Sequence, residues 1–297
     1  MSSTNVPSAF RARMHQLRIQ YRVLTRNSLQ KIALVYIVLL VVVAVAAPYV
    51  IPRTLSVAGQ VNLAEKLEPP SPSHPFGTDE FGRGILSRVL YGARLSLGAA
   101  LITVVFALLV GTALGAIAAG AGGFIDDLIM RTADVFLAFP NVVLAIVISA
   151  FLGPSIRNVI IALVVSWWPW YTRMVRGVAV SVRERQFVRA AQSIGTSQRS
   201  IIFRHILPSS VGPTIVQATL DLGWVILALA SLSFLGLGAQ PPTPEWGLMI
   251  NTSRTYFLSA WWYMAFPGLA ITLTVLAFNV LGDGLGEVLN PKTRGHG

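Results

Sequence analysis

Phe187-Val188-Arg189-Ala190-Ala191-Gln192-Ser193-Ile194-Gly195, followed by Thr196 to Arg204 and then His205-Ile206-Leu207-Pro208, lies between two strongly apolar stretches of this 297-residue chain. Its flanks read as membrane, so this basic segment must face water on one side and offer a surface to something outside the bilayer. Phe187, Ala190, Ala191 and Ile194 recur at i, i+3, i+4 and i+7, which is one apolar face of a helix. Gly195 suits the left-handed position that ends such a helix, and Thr196 or Ser197 can cap the next one. Pro208 is expected to stop or kink that second helix where the chain re-enters the membrane.

Composition fixes the class. Hydrophobic residues make up 54% of the chain and charged residues 12%, about half the share of charge in a soluble domain. The formal net charge is +11, but the basic residues cluster at the ends of apolar runs. That placement orients a membrane protein rather than gripping nucleic acid. With no Cys, disulfides, thiolate metal sites and Cys nucleophiles are excluded.

A membrane helix needs about 20 apolar residues to cross roughly 30 Å of hydrocarbon. Six segments qualify, at residues 32–50, 95–119, 135–152, 159–171, 222–238 and 261–281. The expected fold is therefore an all-α membrane protein with six transmembrane helices. The basic segment 1–31 runs into an apolar stretch too long for a signal peptide, so 32–50 reads as a retained first helix. If the N-terminus is cytoplasmic, 16 of the 23 basic residues fall inside, in 1–31, 120–134, 172–208 and 282–297. The positive-inside rule thus puts both termini in the cytoplasm. This divides the chain into a basic N-terminal segment, the first helix, an outside loop at 51–94, a five-helix core at 95–286 and a cytoplasmic tail at 287–297. Within the core, 172–208 is a cytoplasmic loop and 239–260 an outside one. The two outside loops, rich in Pro, Gly and aromatics, suit docking to an external protein.

The sequence resembles a known family, the inner-membrane permease subunits of ATP-binding-cassette importers, in the branch serving dipeptides, oligopeptides and nickel. The resemblance runs through nearly the whole chain. It rests on His74-Pro75-x-Gly77-Thr78-Asp79-x-x-Gly82-Arg83, Gly92-Ala93-Arg94-Leu95-Ser96-Leu97, Gly122-Gly123-x-x-Asp126, Met130-Arg131-x-x-Asp134, Gly153-Pro154-Ser155, Arg204-His205-Ile206-Leu207-Pro208, Ala230-Ser231-Leu232-Ser233-Phe234-Leu235-Gly236-Leu237-Gly238 and Leu281-Gly282-Asp283-Gly284. It implies the type I importer permease fold in the bacterial inner membrane. It also implies a pore shared with a second homologous permease, two cytoplasmic ATP-binding subunits or one fused subunit, and an extracytoplasmic substrate-binding protein. ATP and Mg would reside on those ATPases, with no cofactor in this chain. Residues 187–208 would then dock into an ATPase cleft through Phe187, Arg189, Ala190, Ala191, Gly195, Ser197, Arg204, His205, Leu207 and Pro208. Three positions depart from the family pattern: Arg189 where a Glu is usual, Gly84 where Asp is frequent, and Leu229 where Glu is frequent.

The resemblance makes a di- or oligopeptide importer the expected function, with nickel or glutathione as the alternative cargo. Plainer readings stand beside it. The arginines of the basic segment could meet anionic lipid headgroups. Asp221 reads either as a translocation-path residue, since intramembrane acids are costly, or as a hydrated residue at the helix boundary. A proton-coupled transporter would have only Asp221 to work with, and an intramembrane hydrolase would lack a His in any span. His74, Asp79 and Glu80 offer hard metal ligands, but Pro75 and Gly77 between them favour a structural turn. Asp126, Asp127 and Asp134 read as helix-end or partner contacts. Gly111-x-x-x-Gly115 would permit close helix packing. Gly282-x-Gly284-x-Gly286 follows a membrane helix and lacks nucleotide-loop spacing, and no Walker Gly-Lys-Ser/Thr run occurs.

Overall fold

A computed structural model describes residues 27–50, 61–193 and 195–289, apart from the side chains of Ala191, Gln192 and Arg199. Most of the basic N-terminal segment, the start of the first outside loop, Ile194 and the C-terminal tail lie outside the described residues. The described chain is helical: α1 (Ser28–Val50), α2 (Ile85–Ala121), α3 (Gly123–Leu137), α4 (Asn141–Leu152), α5 (Ile156–Arg183), α6 (Gln186–Ser193), α7 (Gln198–Ile201), a π turn (Ile202–Ile206), α8 (Leu207–Phe234), α9 (Trp246–Ser253) and α10 (Trp261–Leu289). The β pairing among these residues is a single bridge between Thr78 and Gly84.

Among the described residues, α1, α2, α10 and the π turn joined to α8 are long and apolar enough to cross a membrane. The expected span 135–152 is not one helix. It is divided between α3 and α4, which meet at 88°. Pro140 explains the break, because its ring disfavours helical backbone at Phe139 and it carries no N–H to continue the ladder. The pair counts as a fifth crossing only if the two arms act as one bent span. The segment expected at 159–171 lies in α5, a 28-residue helix that is ample in length. Its Trp167-Trp168-Pro169-Trp170-Tyr171 run and Arg157, Arg173 and Arg176 dilute its apolar character.

Two loop expectations also shift. Residues 85–94, expected in the first outside loop, form the first turns of α2, which at 37 residues extends about 55 Å and overshoots the hydrocarbon. Residues 239–260 are expected as an exposed docking loop, but Trp246, Leu248 and Met249 are buried. The Trp246 indole N–H donates to the Val89 carbonyl at 2.9 Å, which seats α9 on α2. Glu245 caps α9 by accepting from the Gly247 and Leu248 amides at 2.9 and 2.8 Å. Burial raises its carboxyl above the ordinary range, and those two amides oppose the rise.

The bundle turns on the packing of α2 against α5. A Cβ at Gly111 would come within 2.5 Å of the Tyr171 Cβ and 2.6 Å of the Trp168 carbonyl oxygen, and one at Gly115 within 2.7 Å of the Thr172 carbonyl oxygen. The Gly-x-x-x-Gly stripe therefore lets the two backbones touch, as small residues do in membranes. Gly111→Leu is expected to destabilise the fold by about 1–3 kcal/mol, because the obstructing atoms are backbone and Cβ rather than movable side-chain ends. Thermal unfolding of the purified protein checks this, and an unchanged midpoint would contradict the close contact.

Candidate coupling site

The α5 end of the bundle presents the basic segment as a compact hook. α5 stops at Arg183, the chain turns through Glu184 and Arg185, and α6 runs back across the end. Val188 is the anchor of α6. It is fully buried with Ala179 and Val182 of α5, Ile201 and Ile206. Of the apolar face expected to be offered to a partner, Phe187 and Ala190 are exposed. Phe187 is 50% exposed, Arg189 is exposed as well, and the side chain of Ala191 lies outside the described residues. The Phe187 ring meets the His205 imidazole edge-on at 5.4 Å between centroids, which couples the start of α6 to the π turn. One face of α6 is thus pinned by Val188, and the next, with Arg189 and Ala190, is exposed.

The expected turn chemistry is present. Gly195 has φ +83°, the left-handed region that L side chains enter at a cost. Ser197 caps α7, its Oγ accepting from the Ser200 amide at 3.3 Å. Pro208, however, neither ends nor breaks the helix. The Leu207 amide reaches back five residues to the Ile202 carbonyl, so Pro208 enters the first turn of α8. The π turn absorbs the missing proline N–H, and the helix runs on. Arg204 is exposed, Leu207 half-buried and Pro208 exposed on this turn.

That continuity relocates Asp221. The expected helix start at 222 would leave it hydrated at a boundary, but it sits midway along α8 and is 4% exposed. Its Oδ2 accepts from the Tyr171 hydroxyl of α5 at 2.6 Å, and its Oδ1 accepts from the Gln217 side-chain amide at 3.0 Å. Desolvation of a carboxyl is costly unless its lone pairs are met, and here they are met by α5 and by the preceding turn of α8. Asp221 joins the helix that leads into the basic hook to the helix that leaves it.

A second pair of ties binds α3 to the same end of α5. Asp126 receives two hydrogen bonds from Arg176, at 2.6 and 2.7 Å, and Asp134 pairs with Arg173 at 2.5 Å. Asp126 and Asp134, expected at helix ends or partner contacts, thus have partners within this chain. Arg173 and Arg176 were not singled out from sequence, nor were Val188 and Tyr171. The partner of Arg173 lies 39 residues away and those of Arg176 and Tyr171 lie 50 away, beyond any local pattern.

The metal reading of His74, Asp79 and Glu80 gives way to the turn. His74 faces Glu65 at 3.3 Å, whereas Asp79 is fully buried and bonds the Phe81 and Arg83 amides and the Arg83 guanidinium. No cluster of three such ligands occurs among the described residues. Leu229 lies buried in the main core, where the Glu frequent in similar sequences would put a charge among apolar side chains. Gly84 precedes α2 as its N-cap.

Comparison with known proteins agrees with this architecture. Over 277 residues the chain is 47% identical to the dipeptide transport system permease protein DppC of Alkalihalophilus pseudofirmus, covering 93% of this chain and 90% of that one. It is 43% identical over 261 residues to the probable D,D-dipeptide transport system permease protein DdpC of Escherichia coli K12, covering 88% and 87%. It is also 43% identical over 293 residues to the glutathione transport system permease protein GsiD of Escherichia coli O6:K15:H31, covering 97% and 94%. Residues 111–295 match the family model described as binding-protein-dependent transport system inner membrane component. That match spans α3 to α10 with the coupling hook inside it, and the chain belongs to this family of inner-membrane permeases.

Proposed function

We propose that the chain is one half of the translocation pathway of an ATP-driven importer of short peptides, and that residues 184–208 transmit motion from a cytoplasmic ATPase. One observation carries the reading. α6 is held to the bundle through Val188 yet turns Phe187, Arg189 and Ala190 away from it, which is the arrangement of a lever with a docking face. A second homologous permease completes the pathway, ATP and Mg sit on the partner ATPases, and an external binding protein delivers the substrate. Leu258, 99% exposed, and Phe257 beside it form the tip available to that receptor. The pathway alternates between two openings, and nucleotide and loaded receptor bias the equilibrium by binding the two states differently. Chemistry stays with the ATPases.

The similar proteins named for dipeptides and for glutathione support peptides as the cargo class, since glutathione is itself a tripeptide. Arg183, Arg185, Arg189 and Arg204 against the single acid Glu184 give the hook a basic surface, so the facing ATPase cleft is acidic. Affinity purification of the tagged chain with its neighbours, followed by uptake assays with labelled dipeptides and glutathione, tests the reading. Recovery of a second permease and ATPase subunits with peptide uptake is expected. A lone homodimer, or uptake that persists without ATP, would overturn it.

A further inference from the structure

A groove of about 320 Å³ runs between α1 and α2 on the α9 side of the bundle, lined by Val41, Val45, Tyr49, Arg94, Gly98 and Leu101 among others. Arg94 is exposed and makes no ion pair or side-chain hydrogen bond among the described residues. Tyr49 stands opposite it, 88% exposed, at the end of α1. Below this polar rim the walls are aliphatic, and Val41, Val45 and Leu101 are all exposed.

Gly98 forms the floor of the groove, and its setting differs from that of the other glycines in α2. At Gly92, Gly111 and Gly115 an added Cβ would strike this chain's own backbone, whereas at Gly98 it would meet nothing within 4 Å. A glycine inside a helix is unfavourable, and no contact among the described residues requires this one.

We infer that this groove holds one anionic phospholipid, its phosphate at Arg94 and one acyl chain lying over Gly98. The occupant follows from the surroundings: both walls are exposed apolar helix faces, and the rim carries a cation that pairs with no anion among the described residues. From Arg94 to Leu101 the groove descends about 10 Å along α2, most of the depth of one leaflet's hydrocarbon. Tyr49 at the rim sits where aromatic side chains favour the headgroup region.

The test uses the full chain in its purified complex, in phosphatidylcholine bilayers containing a small fraction of phosphatidylglycerol with a photoactivatable acyl chain, or the same probe made with phosphatidylcholine. Peptides of α1 and α2 are expected to be labelled about fivefold more by the anionic probe. Arg94→Gln should reduce labelling to the phosphatidylcholine level, and Arg94→Lys should retain the preference. Gly98→Phe, whose Cβ would meet nothing within 4 Å and whose ring would occupy the groove, should abolish labelling by both probes while the complex assembles in normal yield. Equal labelling by the two probes, or labelling unchanged in Gly98→Phe, would overturn the assignment. So would efficient cross-linking of Gly98→Cys to a neighbouring subunit, which would make the groove a protein interface.

Discussion

Gly195→Pro is expected to abolish the stimulation of ATP hydrolysis by substrate-loaded receptor while leaving membrane insertion and complex assembly intact. Gly195 holds φ +83° between α6 and α7, and a proline ring fixes φ near −65°. The turn cannot form with that ring in place, so α6 loses its orientation above Val188 and the docking face of Phe187, Arg189 and Ala190 is no longer presented. A penalty of about 3 kcal/mol would lower the population of the docking conformation roughly a hundredfold. Gly195→Ala separates backbone strain from crowding. Its Cβ would meet nothing within 4 Å, so it bears only the left-handed penalty of about 1–2 kcal/mol and retains partial coupling. ATP hydrolysis by the purified complex, with and without receptor, gives the measurement. Normal stimulation in the Pro variant would sink the coupling role.

The residues that sequence identified correctly are those whose constraint is local. Gly195 ends a helix by its own φ, Ser197 caps by its own hydroxyl, and Gly111 and Gly115 share a helix face whatever lies opposite. Periodicity also found an apolar face on α6, but a period says nothing about which body that face meets. The residue that fastens the helix is Val188, and Phe187 and Ala190 look outward. Pro140 does break a span, a signal available in the restriction it places on Phe139. Pro208 does not, because a π turn rearranges the preceding hydrogen bonds. Helix length in turn decided the reading of Asp221. Once α8 begins at Leu207, the carboxylate becomes buried, and its partner Tyr171, 50 residues away, could be found only in three dimensions.

Removal of the Asp79 carboxylate is expected to produce the largest loss of stability in the cap that closes the α9 end of the bundle. Asp79 is fully buried. Its Oδ1 accepts from the Phe81 and Arg83 amides, both at 2.9 Å. Its Oδ2 meets the Arg83 Nε at 2.6 Å and lies 3.5 Å from the Arg88 Nε. Both guanidinium groups are themselves buried, and Arg88 also donates to the Pro242 carbonyl at 3.3 Å, linking α2 to the segment between α8 and α9. Asp79→Leu removes at once the carboxylate that faces two buried cations and the acceptor of two amide N–H groups, a change of about 3–5 kcal/mol when a buried pair is broken from one side. Asp79→Asn keeps a carbonyl acceptor for the amides but no charge for the arginines, so it should fall between wild type and Asp79→Leu. Replacing Arg83 as well, in Asp79→Leu/Arg83→Leu, takes one of the two buried cations away and is expected to recover part of the loss, since apolar replacement of a whole buried pair is often nearly neutral. Thermal unfolding of the purified complex would show the order wild type, double variant, Asp79→Leu. If Asp79→Leu unfolded at the wild-type temperature, or the second substitution only deepened the loss, the carboxylate would not be the residue on which the cap is assembled.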